Sequence, residues 1–209
     1  MIDSHQHVFP QELAFAPWSW ARQRNELHWA ETVAPEGGRS LQGWANVDEC
    51  LRAMDAAGLE KSLLLGWYWL HAETCDWHNA LMAKWQKQHP DRFLWFASIP
   101  MSSTVATIRN TLQRAYDSGA SGAGELHFGV QQFDFVGENW QCLTEFCRTH
   151  KWPINLHVTD PHGKDHPGRV HTPLLSIREM LHKETDLTII LAHLAGGMAF
   201  DPSYKLPAN

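Results

Sequence analysis

The chain has 209 residues, of which 44% are hydrophobic and 19% charged, with a net charge of −6. That balance predicts one domain with a real core, and its acidity argues against nucleic-acid binding through phosphate contacts. No apolar run approaches the roughly 20 residues of a membrane helix, and Met1-Ile2-Asp3-Ser4-His5 carries no secretory n-region or h-region. Cys50, Cys75, Cys142 and Cys147 form no C-x-x-C pair, so free thiols in a reducing, cytoplasmic setting are expected. Two counts stand out, 14 His and 11 Trp. The histidines suggest metal or acid–base chemistry if their positions converge.

A short strand is predicted over residues 2–8. Residues 9–46 follow as a long loop carrying Trp18, Trp20, Trp29 and Trp44. Loops of that length are uncommon without a role, so it is expected to be either an aromatic lid over a site or a packed surface excursion. Residues 47–59 have Val47, Leu51, Met54 and Leu59 on one helical face. From there strands over 61–69, 92–99, 122–128, 153–158 and 187–194 alternate with helices over 75–89, 105–116, 138–150 and 174–183. The strands are short and nearly continuously apolar, as in FLWFASI and LTIILAHL, which predicts a parallel α/β sheet with both faces covered. A doubly wound sheet and a (β/α) barrel both fit that alternation. A second long loop, 159–172 (TDPHGKDHPGRVHT), follows the fifth strand.

Asp3-Ser4-His5-Gln6-His7 opens the chain. On a strand, residues i and i+2 share a face, so His5 and His7 project together with Asp3 behind. Imidazole pairs suit zinc, iron, nickel or copper. His157 and His193 stand near the ends of the fifth and sixth strands, and Glu125 lies in the fourth. In a parallel barrel, functional groups converge from the C-terminal ends of different strands. Four strands delivering metal-competent side chains there predict a metal site.

The opening pentapeptide resembles the D-x-H-x-H of the amidohydrolase superfamily, specifically its amidohydrolase-related (amidohydrolase 2) group. The segments NLHVTDP around His157 and LAHLAGG around His193 are similar to that family's fifth- and sixth-strand signatures. The resemblance implies a TIM-type (β/α) barrel with a mono- or dinuclear metal centre. His5 and His7 would be first-strand ligands and His157 the fifth-strand ligand. His193 would be a sixth-strand ligand or the catalytic acid–base residue beside the metal. Glu125 occupies the strand-four position where some members use a Glu or a carboxylated Lys. The implied cofactor is a divalent metal, zinc first, with manganese or iron as alternatives.

The family pattern also has seventh and eighth strands, with an Asp at the end of the eighth that binds metal and takes a proton from the attacking water. This sequence ends at Pro207-Ala208-Asn209, soon after its sixth strand. An incomplete barrel of about six of eight β/α units, C-terminally truncated, is therefore expected over 1–209. Asp201, in a Gly- and Pro-flanked loop, is a poor substitute. The open sheet would expose two edges, which a second copy of the chain would cover.

The expected reaction is hydrolysis of an amide, ester or lactone of a small molecule by a metal-activated water. The alternatives are a metal-dependent decarboxylase on the same scaffold and an inactive remnant acting as an interaction module. Among the other histidines, His28, His78, His89, His150 and His182 are expected in solvent. His71, His127, His162, His166 and His171 are candidates for a substrate pocket. Arg169 is either a partner for a substrate carboxylate or a surface charge. Trp67 and Trp69 are expected in the core.

Overall fold

A computed structural model of the chain describes residues 1–37 and 45–197. The strands are β1 (Ile2–Gln6), β2 (Lys61–Leu65), β3 (Phe93–Phe96), β4 (Ala123–Leu126), β5 (Ile154–Leu156) and β6 (Ile189–Leu191). Every pairing is parallel. The strands form two three-stranded sheets, β1-β2-β3 and β4-β5-β6, joined by a parallel bridge from Ala97 to Ala123. Strand order follows chain order without reversal. A doubly wound sheet reverses at a switch point, so this arrangement is six β/α units of a TIM-type barrel.

The helices follow in order: α1 (Glu12–Phe15), α2 (Pro17–Arg24), α3 (Leu27–Val33), α4 (Val47–Ala56), α5 (Ala72–Gln88), α6 (Val105–Asp117), α7 (Phe128–Gln131), α8 (Glu138–His150) and α9 (Leu174–Lys183). Local chemistry starts them where the sequence allows. Asn46 and Glu49 exchange side-chain and backbone hydrogen bonds, each 3.0 Å, as a capping box at α4. Thr104 caps α6 through the Thr107 amide. The strands leave little room between them. At Gly124, with φ +129°, a Cβ would lie 2.5 Å from the Asn155 carbonyl, so only glycine lets β4 approach β5 there.

The main core packs Leu64, Trp95, Leu126 and Leu156 against Met54, Met82, Ile108, Leu143 and Ile177 from the helices. A second core is aromatic. Phe9, Trp29, Trp67 and Trp69 are buried together, with Trp18, Trp20 and Trp77 at its border. The segment expected as one long loop is thus largely α1 to α3, packed on that second core. Each of these helices has eight residues or fewer, too short for periodicity to reveal. Its tryptophans pack into the molecule rather than over a site; Trp44 lies outside the described residues.

All six strands are shorter than the sequence suggests, and at three of them the local reason is plain. The chain leaves the sheet at Gly66, whose amide bonds both the Phe96 and Gly124 carbonyls. After β4, His127 caps α7. After β6, residues 193–195 turn left-handed, with φ near +55° at His193, Leu194 and Ala195. Of the five histidines expected in solvent only His182 is exposed; His78 is fully buried, His89 and His150 are half-buried, and so is His28, beneath the 159–172 loop. All four cysteines are free and buried. Among the described residues no helix is long and apolar enough to cross a membrane.

Candidate metal centre

His5 lies in β1 and His7 one residue beyond it, Glu125 in β4, His157 just past β5, and His193 two residues past β6. Parallel strands put all these ends on one side of the sheet. The alternation in β1 survives a register irregularity between Asp3 and Gln6, so both imidazoles reach the same carboxylate.

Glu125 is the hub, and its side chain is only 2% exposed. Its Oε2 faces His7 Nε2 at 3.2 Å and His5 Nε2 at 3.8 Å. Its Oε1 faces His157 Nδ1 at 3.0 Å and His193 Nε2 at 3.3 Å. His157 and His193 are themselves 3.2 Å apart. Two potential ligand triads result, His5–His7–Glu125 and Glu125–His157–His193. Each carboxylate oxygen carries its own imidazole pair.

Burial alone would raise the Glu125 carboxyl, but the imidazoles of His157, His193 and His7 outweigh it and hold it well below the usual range. Burial lowers His5 to about 4, so its ring is neutral near pH 7 and keeps a lone pair for a metal. The bond to Glu125 raises His193 despite partial burial. His7 Nδ1 lies 3.2 Å from the Leu65 carbonyl. A carbonyl can only accept, so the proton sits on Nδ1 and Nε2 is free to bind.

The donor set fits a divalent ion. Atoms about 2.1 Å from one ion lie roughly 3.0 to 3.4 Å apart in octahedral or tetrahedral geometry, and most of the separations above are of that size. Several imidazoles with one carboxylate suit zinc, iron or manganese.

The cluster stands at one end of a cavity of about 410 Å³. Its walls are Tyr68 after β2, His127 after β4, Thr32 of α3, and the 159–172 loop, including Lys164, His166 and Arg169. Of the pocket candidates, His127 and His166 line it; His71, His162 and His171 are not among its walls. Arg169 bonds Asp165 and the Asp160 carbonyl, so its charge shapes the loop. Lys164 has no ion-pair partner among the described residues.

His127 takes the amides of Gly129 and Val130 on Nδ1, at 3.2 and 3.4 Å, and its ring stacks on His157 at 4.5 Å. Burial lowers it to about 3. Tyr68 was not singled out in the sequence. The sequence carries no signal for it, because residues 66–69 lie beyond β2 and strand alternation does not apply to them. Asp201 lies outside the described residues.

The amidohydrolase family model matches residues 2–207. No curated protein matches the sequence. Three solved structures similar to the chain show the fold. A probable 2-pyrone-4,6-dicarboxylic acid hydrolase from Acinetobacter baumannii, with citric acid bound, is 19% identical at TM-score 0.60, covering 97% of this chain and 63% of its own. 2,6-Dihydroxybenzoate decarboxylase from Rhizobium is 20% identical at TM-score 0.62, covering 100% of this chain and 73% of its own. A dihydroxybenzoic acid decarboxylase from Polaromonas sp. JS666, with bound manganese and the inhibitor 2-nitroresorcinol, is 18% identical at TM-score 0.59, covering 99% and 73%. The chain therefore spans about two thirds of the length of such structures.

Proposed function

The chain belongs to the amidohydrolase family, and from that premise we propose that it is a metal-dependent hydrolase of an amide, ester or lactone bond in a small molecule. The observation that carries this reading is the pair of imidazoles on each oxygen of the buried Glu125 carboxylate. His5, His7, Glu125, His157 and His193 would hold up to two divalent ions, with zinc the first choice and manganese or iron the alternatives. Ions held there would polarise a carbonyl and lower the pKa of a water to about 7.

The chain's own groups supply the rest. Glu125 stays ionised and lends negative charge to the ligand shell. His7 keeps its Nε2 lone pair because the Leu65 carbonyl occupies Nδ1. His193 is the proposed catalytic residue: half-exposed on the cavity wall, it can take the water's proton and return it to the leaving group when its Nε2 is not itself holding an ion. Its link to Glu125 raises its affinity for that proton.

Elemental analysis after removal of loosely bound ions tests the centre. Wild-type protein should retain up to two equivalents of metal, and the double variant His5→Ala/His7→Ala should lose part or all of it. Metal retained in full by the double variant would sink the ligand assignment. A folded wild-type chain holding none would favour a non-catalytic module.

A second reading, decarboxylation, is favoured by the likeness to the Rhizobium and Polaromonas decarboxylases. The metal-loaded protein should be offered 2-pyrone-4,6-dicarboxylate and 2,6-dihydroxybenzoate in parallel. Ring opening of the first supports hydrolysis. Carbon dioxide from the second without ring opening of the first replaces the hydrolase reading.

A further inference from the structure

Past β2 the chain continues as Trp67-Tyr68-Trp69. All three rings belong to the aromatic core, and Tyr68 alone of them also lines the cavity. The Tyr68 ring stacks on Trp67 at 4.3 Å. It lies 5.0 Å from the His127 ring and 5.6 Å from the His157 ring, centroid to centroid. Two polar side chains, 4% and 2% exposed, therefore stand together on one wall beside the ligand cluster.

The hydrogen-bond accounting at this wall is incomplete. His127 Nδ1 already accepts two backbone N–H groups, which puts the ring proton on Nε2. Neither that Nε2–H nor the Tyr68 hydroxyl finds a partner among the described residues, and neither atom is sealed from solvent. Buried polar groups are almost always satisfied, so donors left over at a cavity wall mark where something else bonds. Both can donate, and with its Nδ1 taken by two backbone amides the imidazole has no lone pair left to accept with. The cavity is large enough to hold more than the group that would react at Glu125.

We propose that the Tyr68 hydroxyl and the His127 Nε2–H form a donor pair that receives an acceptor oxygen of the substrate. The protein thereby selects molecules with a carbonyl or carboxylate beside the reacting group, over isosteric molecules that present N–H donors there. The proposal rests on the proposed function only in taking this cavity as the substrate site. A site built to bond one kind of group discriminates strongly against its mismatch, because the mismatch leaves buried donors unpaired.

Benzoate and benzamidine are suitable probes, being alike in shape and opposite in hydrogen-bond character. Their binding should be measured by calorimetry on metal-free and metal-loaded protein, with wild type, Tyr68→Phe and His127→Asn. Asparagine keeps an oxygen to cap the Gly129 and Val130 amides, and its shorter side chain cannot place its NH2 where His127 Nε2 stands. Thermal melting checks that both variants fold, and each is near-isosteric, so either alone suffices. We expect benzoate to bind in both metal states and benzamidine not to compete. Each variant should weaken benzoate about tenfold while leaving metal content unchanged.

Benzoate binding that neither folded variant changes would overturn the donor pair. So would wild-type protein that binds no benzoate, or nitrogen-15 spectra that put the His127 proton on Nδ1. Binding seen only in metal-loaded protein and untouched by the variants would leave the metal centre standing without this subsite. Loss of metal with the variant effects intact would do the reverse.

Discussion

Glu125 carries a negative charge where there is almost no water, and the surrounding imidazoles make that tolerable. Glu125→Gln keeps the volume and one acceptor oxygen but removes the charge and one of the two oxygens that face imidazole pairs. On the proposed reading it should weaken zinc or manganese binding by about tenfold or more, since ligand-shell substitutions cost on that scale. Calorimetric titration of chelated protein measures this, and unchanged affinity would remove Glu125 from the ligand set. Of the five candidate ligands, His157 and His193 were legible at the ends of apolar runs, His5 and His7 from their i, i+2 spacing, and Glu125 from its place in the fourth strand. Tyr68 was not, because nothing in a Trp-Tyr-Trp run says which ring meets the cavity until the strand's end at Leu65 is known. His78 was missed for a related reason. On α5 it looks like a surface histidine, yet Trp69 Nε1 donates to its Nδ1 at 3.0 Å and the Val8 carbonyl holds its other nitrogen.

Among the elements, α3 and the 159–172 loop meet at His28 and Thr32. His28 Nε2 bonds the Gly168 carbonyl at 2.7 Å. Gly168 has φ +76°, and a Cβ there would collide with Thr32 Oγ1 and sit 3.0 Å from its amide nitrogen. Gly168→Ala should therefore push the loop off α3 and open the cavity wall, at a cost of about 1–3 kcal/mol. Hydrogen exchange should quicken across residues 159–172, while metal content stays at the wild-type level. Unchanged exchange there would mean the loop is held by other contacts. The strand and helix alternation was readable because each run was long enough to show its period. What periodicity missed were short devices: α1 to α3, the α7 turn capped by His127, and the left-handed turn that presents His193. That turn holds non-glycine residues in a region that costs of order 1 kcal/mol each, a local expense no apolar pattern announces.

At the scale of the molecule, two deeply placed histidines tie stability to acidity. Burial lowers both His78 and His127 to about 3, from 6.5 in the unfolded chain. A folded value below the unfolded one means the unfolded chain takes up the proton first. Their stabilisation is complete above about pH 6.5 and is lost as the pH falls toward 3, by about 1.4 kcal/mol per pH unit for each. Urea midpoints at about pH 7 and about pH 5 should show that fall, and His78→Gln should flatten it. An equal slope in the variant would mean His78 does not carry the effect. Barrel architecture was legible only with the help of the metal-ligand motifs, since alternation alone fits two folds. The observed strand order decides between them.

The two half-sheets meet through the Ala97–Ala123 bridge and the few backbone bonds around Gly66, yet the proposed ligands come from both: His5 and His7 from the first, Glu125, His157 and His193 from the second. This has a consequence for biosynthesis. The earliest ligands leave the ribosome with the first strand and wait, with one imidazole pair and no carboxylate, until β4 arrives. The second pair is complete only after β6. On the proposed ligand set, ion capture would be deferred until β6 has been made, and a chain stalled before it would have fewer ligands with which to compete for the cell's metal. A loaded ion would certify that both halves had been made and joined.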